Sequence, residues 1–311
     1  MAIDKKKIIK SVLPILVTVG AFAYIFKRIP VYEVLECLRN ADLYLIGAAL
    51  ALSVISNIFI SAVRWWLILK RLGLSIGFRE TLFIKLASDP FVTILPFRSG
   101  ELTKFAYLSR IKNFSYKRSI LSILCGYISY IFSLLCLVLI GLFCWFLITA
   151  DKGLVGAAGV VLVLAALLVG LARNAFGNSG ACGRFAKKGA VIIRRYRDSL
   201  PTLPVGGGVL IASFLIALLD ILTVYILALS VGLTLPLVEL LVRMPAAIIL
   251  GSMPVSIAGL GVREPAFILL FAKLGPPGLL LSAGILYSFV NHIFPTILGF
   301  FFTAPFLKKM V

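Results

Sequence analysis

The sequence is short of charge, shorter still of acid, and almost without histidine. Only 14% of its residues are charged, against about a quarter in an ordinary soluble domain. No long polar stretch exists to form a separate soluble unit. The one histidine, His292, argues against a histidine-based triad. Cys37, Cys125, Cys136, Cys144 and Cys182 show no metal-ligand spacing, which argues against a zinc site. Neither a metal nor another cofactor is expected. The alternation of a barrel strand is absent, so a helical protein is expected.

What is present is apolar: 61% of 311 residues. Several runs reach the roughly 20 residues that cross a bilayer. The net charge of +19 on a soluble chain would suggest nucleic acid. On a membrane chain it is the excess of basic residues in cytoplasmic loops, so no nucleic-acid partner is expected. Anionic lipid headgroups are the natural counter-charge. The expected location is the cytoplasmic (inner) cell membrane, with multiple passes.

In chain order, 8–26 reads as an uncleaved first span and 31–40 as a short interfacial helix. Residues 43–69 form the second span, ending at Arg64, Trp65 and Trp66. This end is either an aromatic belt with a snorkelling arginine or an arginine turned inward. Region 78–95 is apolar but carries Arg79, Glu80, Lys85 and Asp89 and is broken by Pro90 and Pro96. It reads as a hairpin that enters and returns, followed by a basic interfacial helix over 100–117. Spans are expected at 119–149, 154–172 and 209–231, the last with Asp220 at its middle. A second hairpin, 237–257, holds Glu239, Arg243, Pro245 and Pro254. A short segment at 262–274 and a last span at 279–306 close the chain.

The expected fold is therefore an all-α polytopic membrane protein. It has about seven to eight crossing helices and two re-entrant hairpins in an inverted repeat. The whole of 1–311 is one membrane domain. Its halves, 1–172 and 201–311, are joined by a basic cytoplasmic linker, 173–200. The N-terminus, 70–118 and the linker are expected in the cytoplasm; the side of the C-terminus stays open.

Charged residues beside broken helices mark a site or a pathway in a membrane protein. Two stretches qualify. In the first, Arg98, Gly100, Glu101 and Lys104 follow Leu95-Pro96. In the second, Gly259, Leu260, Gly261, Arg263 and Glu264 follow Pro254 and Ser256. Pro96, Gly100, Pro254, Gly259 and Gly261 are the expected hairpin and hinge positions. The two motifs are expected to approach each other near the bilayer centre and wall one cavity. Arg64, Asp89, Asp220 and Arg243 are the further candidates. Asp220 reads either as a proton-coupling site or as a hydrogen-bonded packing residue.

The pattern LP-x-R-x-GE with a following lysine, joined to P-x-S-x-x-GLG-x-RE, resembles the flippase-like membrane family. That is the family of the membrane half of lysylphosphatidylglycerol synthases. Arg64-Trp65-Trp66 also fits, and the resemblance runs from about the second span to the last. It implies movement of a lipid across the bilayer. The synthases carry a soluble transferase domain after this half; a stand-alone member is expected here. Relatives often carry a Glu-Arg pair inside the next span, where 124–130 is uncharged, and an arginine where Ser288 stands beside Asn291 and His292. Both departures point to a substrate other than aminoacylated phosphatidylglycerol.

Three functions are open at this point. In a lipid translocase, Arg98, Lys104 and Arg263 hold a headgroup phosphate, while Glu101 and Glu264 hold the arginines or a cationic headgroup part. The alternative role of each Arg-Glu set is an internal ion pair that locks a hairpin. A membrane-embedded transferase would need a base such as Asp89 or Asp220, and neither has a partner pattern. A non-transporting subunit would dock a lipid-modifying or glycosyl-transferase enzyme. The first is the main expectation, without enzymatic activity and with membrane lipids as partners. A homo-oligomer or a partner lipid-modifying enzyme is compatible with it.

Overall fold

The computed structural model describes residues 5–95, 99–149, 205–252 and 259–310. The expected span 154–172, the basic linker, Pro96, Arg98, Pro254 and Ser256 lie outside the described residues. Helices α1 (Lys5–Arg28) and α2 (Val31–Arg39) lead into α3 (Leu43–Arg71). Next come α4 (Phe78–Ile94), the short α5 (Glu101–Ala106) with a π-turn Tyr107–Ile111, and α6 (Tyr116–Thr149). The second half holds α7 (Gly207–Ser230), α8 (Leu237–Gly251), α9 (Arg263–Phe271) and α10 (Pro277–Lys308). Four of the described helices, α3, α6, α7 and α10, are long and apolar enough to cross a membrane.

Local chemistry sets the helix ends. Asp42 caps α3 by accepting from the amides of Tyr44, at 2.8 Å, and Leu45. Helices α3 and α7 stop in the same way. Gly73 and Gly232 take φ of +80° and +78°, and the amides of Leu74 and Leu233 turn back to the carbonyls of Leu69 and Ala228. This Schellman closure satisfies carbonyls that would otherwise end unpaired.

The shared stop reveals an internal repeat. One fixed offset relates Gly73 to Gly232, Leu74 to Leu233, Glu80 to Glu239 and Gly100 to Gly259. The two halves run in opposite directions. The amide of Asp42, before α3, bonds the carbonyl of Ser230 at the end of α7 (2.8 Å), while Gly206, before α7, abuts the Arg71 side chain at the end of α3. The equivalent helices are antiparallel neighbours, as an inverted repeat requires.

Both hairpins are built differently from the sequence expectation. Region 78–95 does not turn on itself: α4 is one helix through Pro90, and the return arm is α5 with its π-turn. The arms close at the tip, where Gly100 lies on the backbone of Phe91. They close again at the open end, where Lys112 Nζ meets Glu80 at 2.8 Å and the Tyr107 hydroxyl donates to the same carboxylate at 2.8 Å. Likewise α8 runs straight through Pro245, and its return arm is α9. Gly259 lies on the carbonyl of Gly251 at the tip, and Arg243 donates to the carbonyl of Leu270 at the open end. Each hairpin thus starts and finishes at one end of the molecule. Helix α10 then carries Lys309 back over the ring of Phe83, 4.8 Å from its centroid. This puts the C-terminal end of α10 beside the first turns of α4.

The halves interlock. Helix α10 packs along α4, with Thr296 on Thr93 and Phe306 on Phe83. Helix α6 packs along α8. Each crossing is made at a glycine: a Cβ on Gly299 would lie 2.5 Å from the Leu86 carbonyl, and one on Gly141 2.8 Å from Leu241. Small residues let helix axes approach where lipid supplies no hydrophobic drive.

A Cβ at position 100 would sit 2.0 Å from the carbonyl carbon of Phe91. Gly100→Ala and Gly259→Ala should therefore lower the melting temperature by several degrees, an overpacking cost of about 1–3 kcal/mol or more. Gly47, with open space around it, should accept alanine without loss; equal behaviour of Gly47→Ala and Gly100→Ala would contradict the close approach. A pH effect is also expected at the open end. Burial opposes ionisation of Glu80, but the bonds from Lys112 and Tyr107 outweigh it and hold the carboxyl below its ordinary value. Its stabilisation is thus complete above the unfolded value of about 4.3 and is lost as pH falls further. The half-exposed pair contributes at most about 1 kcal/mol. The melting-temperature gap between wild type and Glu80→Gln should be present at neutral pH and shrink in acid.

Candidate functional site

A cavity of about 500 Å³, apolar over most of its wall but set with charged side chains, lies where the two hairpins face α3, α6, α7 and α10. The first half supplies Asn57 and Arg64 from α3, Lys85 and Asp89 from α4, Glu101 and Lys104 from α5, and Tyr127 and Tyr130 from α6. The second half supplies Asp220 from α7, Ser252 after α8, Arg263 from α9, and Tyr287, Asn291 and His292 from α10. The surrounding helices expose apolar side chains outward, among them Ile55, Phe59, Ile128, Ile211, Phe300 and Phe301.

The charges in this cavity are organised in sets. Lys85 is ion-paired with Asp89 one helical turn on, and both are shielded from solvent. Lys104 meets Glu101 at 2.9 Å, and Glu101 also accepts from the Tyr127 hydroxyl at 3.1 Å. Lys104 further lies 5.7 Å from the ring centroid of Trp65. In the second motif Arg263 donates to Ser288 Oγ at 3.3 Å and lies over the Tyr287 ring. Ser288 in turn donates to Glu264, whose other oxygen accepts the Gly261 amide at 2.7 Å. The glycines of the GLG run have a steric reason: Cβ atoms on Gly251 and Gly259 would each come within 2.7 Å of the Arg263 guanidinium. The second motif thus builds a slot for one arginine.

Of the sequence candidates, Arg64, Asp89, Glu101, Lys104, Asp220 and Arg263 line this one cavity. Glu264 is buried behind Arg263 and holds Gly261 and Ser288. Gly100, Gly259 and Gly261 shape the tips. Arg243 lies apart from the cavity, clamped to Glu239 and to the return arm α9. Arg64 is turned inward, and its neighbour Trp65 is buried with its indole directed at Ser122, so the aromatic-belt reading does not hold at these two residues. Trp66 donates to the carbonyl of Ile76.

Sequence reasoning missed Asn57 and Tyr130. Asn57 sits in a π-helical stretch of α3, Val54–Ile60, and donates to Asn291 in the π-helical stretch of α10, Phe289–Ile293, at 3.1 Å. Ser53 adds a bond to the Val290 carbonyl at 2.9 Å. Such π-segments widen a helix locally and recur at functional sites. In α10 the segment also precedes Pro295, which lacks an amide to continue the ladder. Tyr130 joins the halves, with its hydroxyl on Asp220 and Arg64 over its ring, 5.9 Å from the centroid. The available signals were a lone amide inside an apolar run and a tyrosine at helical spacing from Tyr127.

Crossing helices, broken helical hairpins and a charged interior cavity define a multi-pass membrane protein with a polar site at its centre. The chain belongs to the lysylphosphatidylglycerol synthase TM region family, which it matches over residues 11–299. No curated protein matches it. The family gives the chain a membrane, lipid-related setting.

The Asn57–Asn291 contact has a measurable consequence. Replacing both by alanine in a double-mutant cycle should give a coupling free energy of about 0.5–1.5 kcal/mol from thermal melts. Additive single losses would show that the π-segments do not hold each other.

Proposed function

We propose that the protein is a lipid translocase of the cytoplasmic membrane, acting without covalent chemistry. The observation that carries this reading is a charged cavity built jointly by two antiparallel halves. In this reading the α4–α5 hairpin enters the bilayer from the cytoplasmic side and returns, and the α8–α9 hairpin enters from the opposite side. Broken backbone at that depth is tolerated only where protein or a cavity covers it. A phosphate-bearing headgroup passes through the cavity beside Lys104 and Arg263, while its acyl chains stay in lipid. Arg98, outside the described residues, belongs to the first motif and is proposed to meet the same phosphate. Arginine suits that role because its planar fork binds a phosphate through two bonds.

The test is reconstitution into vesicles with acyl-labelled fluorescent phospholipid and an impermeant quencher. Wild type should expose inner-leaflet label far faster than protein-free vesicles. Lys104→Ala, read on protein that still folds, should slow this by about tenfold or more, the loss of one charge-assisted contact. Wild-type rates equal to protein-free vesicles would contradict translocation. They would favour the alternative of a membrane subunit that docks a lipid-modifying enzyme.

A further inference from the structure

Two opposite charges of the cavity stand outside its close ion pairs. Among the described residues, Lys85 is satisfied by Asp89 and Lys104 by Glu101, while Arg263 sits in its glycine slot, linked to Glu264 through Ser288. Arg64 and Asp220 differ. Arg64 Nε and Nη1 are buried without a hydrogen-bond partner, and so is Asp220 Oδ1. Both residues line the cavity. They come from the antiparallel neighbours α3 and α7, and Tyr130 stands between them. The Arg64 guanidinium lies over its ring and Asp220 Oδ2 accepts from its hydroxyl. The cavity wall therefore holds a cation and a carboxylate one aromatic ring apart, each with buried polar atoms that no hydrogen bond completes.

We infer that this pair is a headgroup subsite for a zwitterion: a phosphate on Arg64 and a primary ammonium on Asp220. The inference rests on the translocase reading for its lipid source, but the chemistry is that of any short phospho-amine. Buried polar atoms without partners are costly, and a ligand that completes both removes two such costs at once. A phosphoglycerol headgroup would complete Arg64 and leave Asp220 Oδ1 without a charged partner. A headgroup with two ammonium groups would set surplus positive charge beside Lys104 and Arg263. A phosphoethanolamine-type headgroup, net neutral, matches both groups. This departs from the anionic headgroup expected from sequence.

The experiment has a soluble arm and a membrane arm. In the first, the purified protein in detergent is titrated calorimetrically with sn-glycero-3-phosphoethanolamine and with sn-glycero-3-phosphoglycerol. Wild type should bind the former about tenfold tighter or more, the worth of one charge-assisted bond. Asp220→Asn, of the same shape, should erase the preference and keep phosphoglycerol binding. Arg64→Gln should weaken both ligands. Tyr130→Phe, which frees Asp220 from its anchor without changing charge, should reduce the preference and serves if the Asn variant does not fold. Equal wild-type affinities, or a preference that survives in Asp220→Asn, would overturn the subsite. In the second arm, vesicles carry acyl-labelled phosphatidylethanolamine or phosphatidylglycerol. Faster passage of the ethanolamine lipid supports the inference with a lipid as its source. Selective soluble binding with no lipid passage keeps the subsite, assigns it to a free phospho-amine and ends the translocase reading. Passage of both lipids at one rate, with equal soluble affinities, ends the inference and leaves translocation standing.

Discussion

A helix that stops inside a bilayer leaves carbonyls and amides that lipid cannot satisfy. In the membrane placement proposed above both hairpins contain such stops, and much of the structure serves to cover them. The tips turn on glycines that let one arm rest on the backbone of the other. Their open ends are fastened by Lys112 on Glu80 in one half and by Arg243 on the Leu270 carbonyl in the other. The outer faces of the hairpins are covered by the opposite half, α10 on α4 and α6 on α8. Neither half could bury its own hairpin alone, and the cavity is the space that this exchange encloses.

The buried charges fit the same economy of placement. A charge removed from water is tolerated when a partner and further hydrogen bonds surround it. Lys85 with Asp89, Lys104 with Glu101 and Tyr127, and Arg263 near Ser288 and Glu264 follow that rule. These sets also hold the hairpins, and that structural role is compatible with the proposed one. Lys104–Glu101 fixes the start of the return arm and still fronts the cavity. Glu264 is wholly structural in position, one layer behind Arg263. Arg64 and Asp220 stand outside these close ion pairs, and the inferred headgroup preference rests on them.

Much of this was legible from residues. The proline and glycine breaks beside Glu101 and Arg263 located both hairpin tips, and the lone acid Asp220 proved to face the cavity. The repeat was legible too, but at different residues from those first compared. Pro96 with Pro254 and Glu101 with Glu264 give unequal separations, whereas the helix stops at Gly73 and Gly232 and the clamps at Glu80 and Glu239 give one. The arms were misread because Pro90 and Pro245 were taken as breaks. Both are absorbed inside continuous helices, where close packing by α10 and α6 outweighs the lost amide bond. Asn57 with Asn291, and Tyr130 with Asp220, were beyond reach, because local pattern carries no signal for partners that far apart in the chain. Arg64 was ambiguous because an arginine beside two tryptophans looks alike whether it snorkels or turns inward.

The central claim is that the cavity between the inverted halves holds a lipid headgroup. Cryo-electron microscopy of the protein in nanodiscs made with native membrane lipid tests it most directly. The account predicts headgroup density inside the cavity, with its phosphate near Arg64, Lys104 and Arg263 and its acyl chains leading out to the bilayer. Lipid density confined to the outer surface, with the cavity closed by side chains from the two tips, would contradict it.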